Sequence, residues 1–156
     1  MDERTRAATY EDVLHVAKLL EDEGVEYALI GGYALALQGI VRLTEDVDVL
    51  VAPSVENSRR WVRALSKLPD GAAKELIGDE TLHEELYAIR INDEFTVDVM
   101  NSASGFSWQD LAQYRTRVEG INVVSLEGLL RMKEKGRLKD QADAEAIRNA
   151  LGLRRP

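Results

Sequence analysis

The residues best equipped for chemistry are Asp46 and Asp48, one residue apart in the run Asp46-Val47-Asp48-Val49-Leu50, and Asp98, flanked by Val97 and Val99. Successive side chains of a strand alternate between faces, so Asp46 and Asp48 project to one side while the valines anchor the strand in a core. A neighbouring strand carrying Asp98 brings a third carboxylate to the same place. Like charges that close raise their own proton affinity unless a cation neutralises them. Magnesium suits such a group, because it takes hard oxygen ligands, keeps water and completes its shell with substrate phosphates. A pair of these ions can activate an attacking hydroxyl and stabilise a leaving pyrophosphate in an in-line displacement. The chemistry that this pattern points to is transfer of a nucleotidyl group from a nucleoside triphosphate.

The second feature is Gly31-Gly32, separated from Asp46 by thirteen residues. A short apolar run, Tyr27 to Ile30, leads into the pair, and the helix formers Tyr33 to Leu37 follow it. Strand, glycine turn and helix in that order let the backbone approach a triphosphate closely and turn free N–H groups toward it. A tight strand-to-helix turn with no ligand is the plainer reading of the same glycines.

The elements that must position these residues are legible from capping and periodicity. Thr9 and Asp12 have the form of a capping box, and Val13, Val16, Ala17 and Leu20 recur at helical spacing until Gly24. Val47 to Val51 reads as a strand cut off by Pro53, after which Ser54 caps a helix through Leu68. Gly71 to Glu85 has weak periodicity and reads as a mobile loop or a short helix. Tyr87 to Ile91 and Phe95 to Met100 form a hairpin that sets Asp98 on a central face of a sheet. Ser107 caps a helix from Trp108 to Tyr114, and Arg115 to Glu119 and Ile121 to Val124 bracket Gly120 as a second hairpin or a bulged strand. Helices follow from Leu126 to a break at Gly136, and from Lys139 to about Leu151. The expected fold class is α+β, with α/β-like features: a small mixed β-sheet flanked by helices, and a short helical segment at the C-terminus. A single domain spans residues 1–156, its core about 10–124 and its C-terminal helices about 125–152.

The fuller string Gly31-Gly32-Tyr33-Ala34, Gly39, Arg42-x-Thr44-x-Asp46-x-Asp48, together with Asp98, resembles the DNA polymerase β-like nucleotidyltransferases. Within that superfamily it is similar to the minimal nucleotidyltransferases grouped with AbiEii-type toxins. The stretch Ser125-Leu126-Glu127-x-Leu129-Leu130-x-Met132-Lys133, followed by Arg137-x-Lys139-Asp140-x-x-Asp143, resembles the same group. The resemblance implies the nucleotidyltransferase fold, magnesium binding by Asp46, Asp48 and Asp98, and triphosphate contact at Gly31 and Gly32. Asp98 is the candidate base or base-positioner. Nucleotide-binding roles extend to Arg42, Thr44, Lys133 and Lys139, with Arg137 and Asp140 as further nucleotide or acceptor contacts. Arg42 has a second reading as the ion-pair partner of a helix carboxylate, and the basic residues near Gly136 have one as a solvated helix surface.

Composition narrows the partners. The chain has 156 residues, 28 acidic against 20 basic, and a formal net charge of −8, the wrong sign for a protein that grips nucleic acid over its whole surface. A polycationic small-molecule acceptor suits that charge, whereas the toxin resemblance favours an acceptor hydroxyl on RNA or protein, with an antitoxin partner or a homodimer. A nucleotidyltransferase fold kept only as a non-catalytic binding or regulatory module is the alternative. His15 and His83 show no ligand spacing, and Trp61 and Trp108 read as core anchors. With no cysteine, no signal peptide and no apolar run near the roughly 20 residues of a membrane span, a cytoplasmic location is expected.

Overall fold

The computed structural model describes residues 5–84, 88–134 and 138–153, without the side chains of residues 138 and 139. Helix α1 (Tyr10–Asp22) opens on the predicted capping box, in which Thr9 N–H donates to Asp12 Oδ2 at 2.7 Å while Thr9 Oγ1 accepts from Asp12 N–H. Strand β1 (Tyr27–Ile30) is buried along its whole length and runs directly into helix α2 (Gly31–Leu37). Gly31 and Gly32 are therefore the first turn of a helix, where the sequence reading had a turn before it. Strand β2 (Asp46–Val51) is followed by helix α3 (Val55–Leu65), whose cap Ser54 Oγ accepts from Asn57 N–H. Asn57 is buried and ties the sheet to that helix, accepting from Glu26 N–H and donating to the carbonyls of Glu26 and Ala52.

A 3-10 turn at Ala72–Leu76 occupies part of the illegible stretch. Strands β3 (Ile89–Asn92) and β4 (Thr96–Met100) form the expected hairpin; Glu85 and Tyr87, at the edges of two predicted segments, lie outside the described residues. A two-residue pairing of β5 (Ser102–Ala103) with β6 (Phe106–Ser107) then leads into α4 (Trp108–Ala112), which ends before the expected Tyr114. The second predicted hairpin is present as β7 (Arg115–Val118) and β8 (Ile121–Val124). Helices α5 (Leu126–Glu134) and α6 (Leu138–Leu151) pack against each other at the end of the chain.

The sheet is six-stranded in the order β3-β4-β2-β1-β8-β7, parallel where β2 meets β4 and where β1 meets β8, antiparallel elsewhere. Central strands β1 and β4 are buried throughout, whereas the edge strand β7 exposes Arg115, Thr116 and Arg117, and the two arginine charges discourage pairing with another sheet. Trp61, Tyr27 and Phe95 fill the core as fully buried rings, and Trp108 is buried as well. This mixed α+β sheet flanked by helices is the fold class expected. Among the described residues no helix is long and apolar enough to cross a membrane.

Candidate active site

Strand register brings the carboxylates together. In the parallel pairing of β2 with β4, Asp48 stands opposite Asp98 and Asp46 opposite Thr96. Paired residues share a face of a sheet, and Asp46 lies two residues from Asp48, so all three aspartates emerge on one side. The alternating valines Val47, Val49, Val97 and Val99 point the other way and are fully buried, which fixes the register, because a slip of one residue would turn every apolar group to the wrong face. On the other flank of β2, Ile30 stands opposite Asp48, so that Gly31 follows immediately beside the carboxylates.

Gly31 has φ +74°, and a Cβ built on it would lie 2.2 Å from Asp48 Oδ2. The absent side chain is the space that the Asp48 carboxylate fills. Gly32 is explained in the same way by Thr44, whose Cβ would be 2.6 Å from an added methyl. Thr44 Oγ1 also donates to the carbonyl of Asp46 at 3.2 Å, pinning the loop that enters β2 onto the first turn of α2. Thr44 thus packs the glycine corner against the carboxylate strand.

Sequence reading missed Arg90. It stands on β3 opposite Asp98, and its guanidinium donates from Nε to Asp98 Oδ1 at 3.0 Å and from Nη2 to Asp98 Oδ2 at 3.1 Å. The same Nη2 reaches Asp46 Oδ2 at 3.2 Å. The two carboxylates differ in setting: the Asp98 side chain is 10% exposed and that of Asp46 36%. A lone arginine between Ile89 and Ile91 was visible in the chain, but only the hairpin register shows which aspartate it faces.

Asp48 is the carboxylate whose proton affinity is most altered. Burial, then the charges of Asp98 and Asp46, push its pKa from 3.8 up to about 7, and Arg90 and Lys133 oppose the rise only in part. Lys133 belongs to α5 and donates to Asp140 at 3.1 Å, while its ammonium also lies 3.2 Å from Asp143 Oδ2. Asp143 is almost wholly buried and meets Arg42 Nη2 at 2.7 Å on its other oxygen, an ion pair without the alignment of a hydrogen bond. Of the two readings of Arg42, the structure shows the partner of a helix carboxylate. The side chain of Lys139 and all of Arg137 lie outside the described residues.

Three carboxylate groups on one face form a hard donor set of the kind a magnesium ion takes. Yet among the described residues no three carboxylates or imidazoles stand together in a metal-holding arrangement, and two of the three aspartates are directed onto Arg90. The donors fit the ion in chemistry and in face, with the guanidinium as their present countercharge.

The architecture defines a nucleotidyltransferase fold. The chain superposes on the crystal structure of a protein described as a putative nucleotidyltransferase from Thermotoga maritima with a TM-score of 0.54 and 20% identity, over 95% of this chain and 98% of that one. At that identity the likeness speaks for the fold. No protein-family model and no curated protein matches the chain.

Proposed function

We propose that the chain is a magnesium-dependent nucleotidyltransferase, moving a nucleoside monophosphate, AMP in the first instance, from a nucleoside triphosphate to an acceptor hydroxyl. The observation that carries this is the register of Asp48 with Asp98 beside Gly31, which gathers three carboxylates on one face of the sheet. Asp46, Asp48 and Asp98 would hold the metal, which when bound supplies charge neutralisation for the triphosphate and for the attacking oxygen.

In the reaction the acceptor oxygen attacks the α-phosphorus, the bond from that phosphorus to the bridging oxygen breaks, and pyrophosphate leaves. The proton of the acceptor hydroxyl passes to a carboxylate, and Asp98, the most sheltered of the set, is the assigned base. The first turn of α2 offers the backbone N–H groups of Gly31 and Gly32 to the phosphates. Lys133, a lysine whose charge reaches Asp48, is the phosphate ligand contributed by α5.

The acceptor follows from two signals. Resemblance to AbiEii-type nucleotidyltransferases supports a toxin that modifies a hydroxyl of RNA or protein, with an antitoxin as partner. The net charge of −8 supports a polycationic small molecule. Pyrophosphate release from ATP, measured with tRNA, candidate proteins and aminoglycosides as acceptors, separates the two. Asp46→Asn and Asp48→Asn each lower the rate by about 100-fold or more with the true acceptor. Release that persists undiminished in both variants would remove the proposed mechanism.

A further inference from the structure

We propose that Arg90 is a built-in countercation of the carboxylate site, one that holds Asp46 and Asp98 and must leave them before a divalent ion is bound. The inference rests on the metal-dependent reading above and concerns what that reading leaves unexplained, namely why the three aspartates share a face but do not converge.

The geometry is specific. Arg90 lies directly opposite Asp98 in the β3–β4 pairing and makes a two-pronged contact, Nε to Oδ1 at 3.0 Å and Nη2 to Oδ2 at 3.1 Å. That fork uses both oxygens of Asp98, and the further reach of Nη2 to Asp46 Oδ2 at 3.2 Å spans from β4 to β2. A planar guanidinium matches this task, because it makes two parallel bonds to the oxygens of Asp98 while still reaching Asp46, whereas an ammonium is a point charge without that fork. Both oxygens of Asp98 and one of Asp46 are thus already engaged.

Arg90 is also free to go. Its side chain is 59% exposed and sits on β3, at the edge of the sheet, so its guanidinium can swing into water without disturbing the core. Its neighbours Ile89 and Ile91 keep the strand in place, Ile91 being buried. Metal affinity is then reduced by the share of molecules in which the bridge is closed, as for any ligand whose competent state is only partly populated. The bridge keeps three like charges compatible with folding when no metal is present, at the expense of weaker metal binding.

The test is titration of nucleotide-free, full-length protein with Mn2+, followed by calorimetry, together with melting curves in EDTA. Compared are wild type, Arg90→Gln, Arg90→Lys and Arg59→Gln. The last removes an equally exposed arginine, paired with Glu80, and controls for net charge. The expected result is about tenfold tighter Mn2+ binding for Arg90→Gln and a Tm in EDTA lower by roughly 3 °C. Arg90→Lys falls between Arg90→Gln and wild type, and Arg59→Gln binds as wild type does. If Arg90→Gln does not fold, the intermediate affinity of Arg90→Lys carries the test. Wild-type binding that neither Arg90 variant strengthens overturns the inference and leaves the metal site standing. Absence of binding in every variant overturns both.

Discussion

At Gly31 one missing methyl group makes room for the Asp48 carboxylate, and the consequence is testable. Gly31→Ala would place a Cβ 2.2 Å from Asp48 Oδ2 and hold alanine at φ +74°. The variant is expected to lose about 1 to 3 kcal/mol of stability, read as a lower Tm in EDTA. Asp48 itself gives a prediction of opposite sign. Its folded pKa, about 7, lies above the ordinary 3.8, so the unfolded chain releases the proton first. Stability of the metal-free protein therefore declines as pH rises from about 4 to 7. Asp48→Asn removes that cost, and in EDTA it is expected to melt close to wild type at pH 4 but higher above pH 7, by about 1 to 2 kcal/mol after allowance for solvent screening.

At this scale the sequence was readable wherever chemistry and spacing coincide. Asp46 and Asp48 follow from strand alternation, and Asp98 from its valine neighbours. Arg90 was illegible because its partner is set by cross-strand register, which alternation within a single strand does not reveal. For Arg42, the pairing with a helix carboxylate appears as its contact with buried Asp143, a partner that spacing along the chain does not reveal.

Between elements, the site depends on two joints. One links α2 to β8 and α5 through Gln38, which donates to the carbonyls of Ala34 and Val124 and accepts from Leu126 N–H at 3.0 Å. This side chain fixes the start of the helix that carries Lys133 against the C-terminal end of α2. Gln38→Ala leaves those backbone groups without their partner and is expected to cost about 1 to 3 kcal/mol, measured by urea denaturation. The other joint lies at the N-terminus. Ala8 N–H donates to the carbonyl of Glu45 at 2.8 Å and Arg6 N–H to that of Glu94 at 2.9 Å, so residues 6–8 reach the loops that enter β2 and β4.

Arg6 is also paired with Asp12, and with Thr9 it holds the Asp12 pKa near 2, below the ordinary 3.8. The stability this provides is fully present above about pH 4 and disappears as pH falls toward 2. Acid unfolding of Asp12→Asn should accordingly be shallower than that of wild type across that window. Helices and hairpins were predictable as units because caps, glycines and alternation are local signals. The two-residue β5–β6 pairing has too few residues to show a period, and the 3-10 turn at Ala72–Leu76 is shorter than the helical window that periodicity needs.

For the whole molecule, a mixed sheet assembles three charged side chains at the edge of a well-filled core. Parallel pairing of β2 with β4 requires the long connection through α3 and the 3-10 turn, so the active face depends on contacts distant in sequence. Trp61 lies at the centre of that connection, fully buried, and Trp61→Ala is expected to cost about 3 to 5 kcal/mol, a large part of the stability of a domain this size.

The central claim is that Asp46, Asp48 and Asp98 together receive a divalent ion and a triphosphate. Crystals grown with Mn2+ and a non-hydrolysable ATP analogue test it directly through the anomalous signal of manganese. The expected result is a peak among the three carboxylates, phosphate density beside Gly31 and Gly32, and Arg90 withdrawn from Asp98. Manganese and nucleotide bound elsewhere, with the Arg90 bridge still closed, would contradict it.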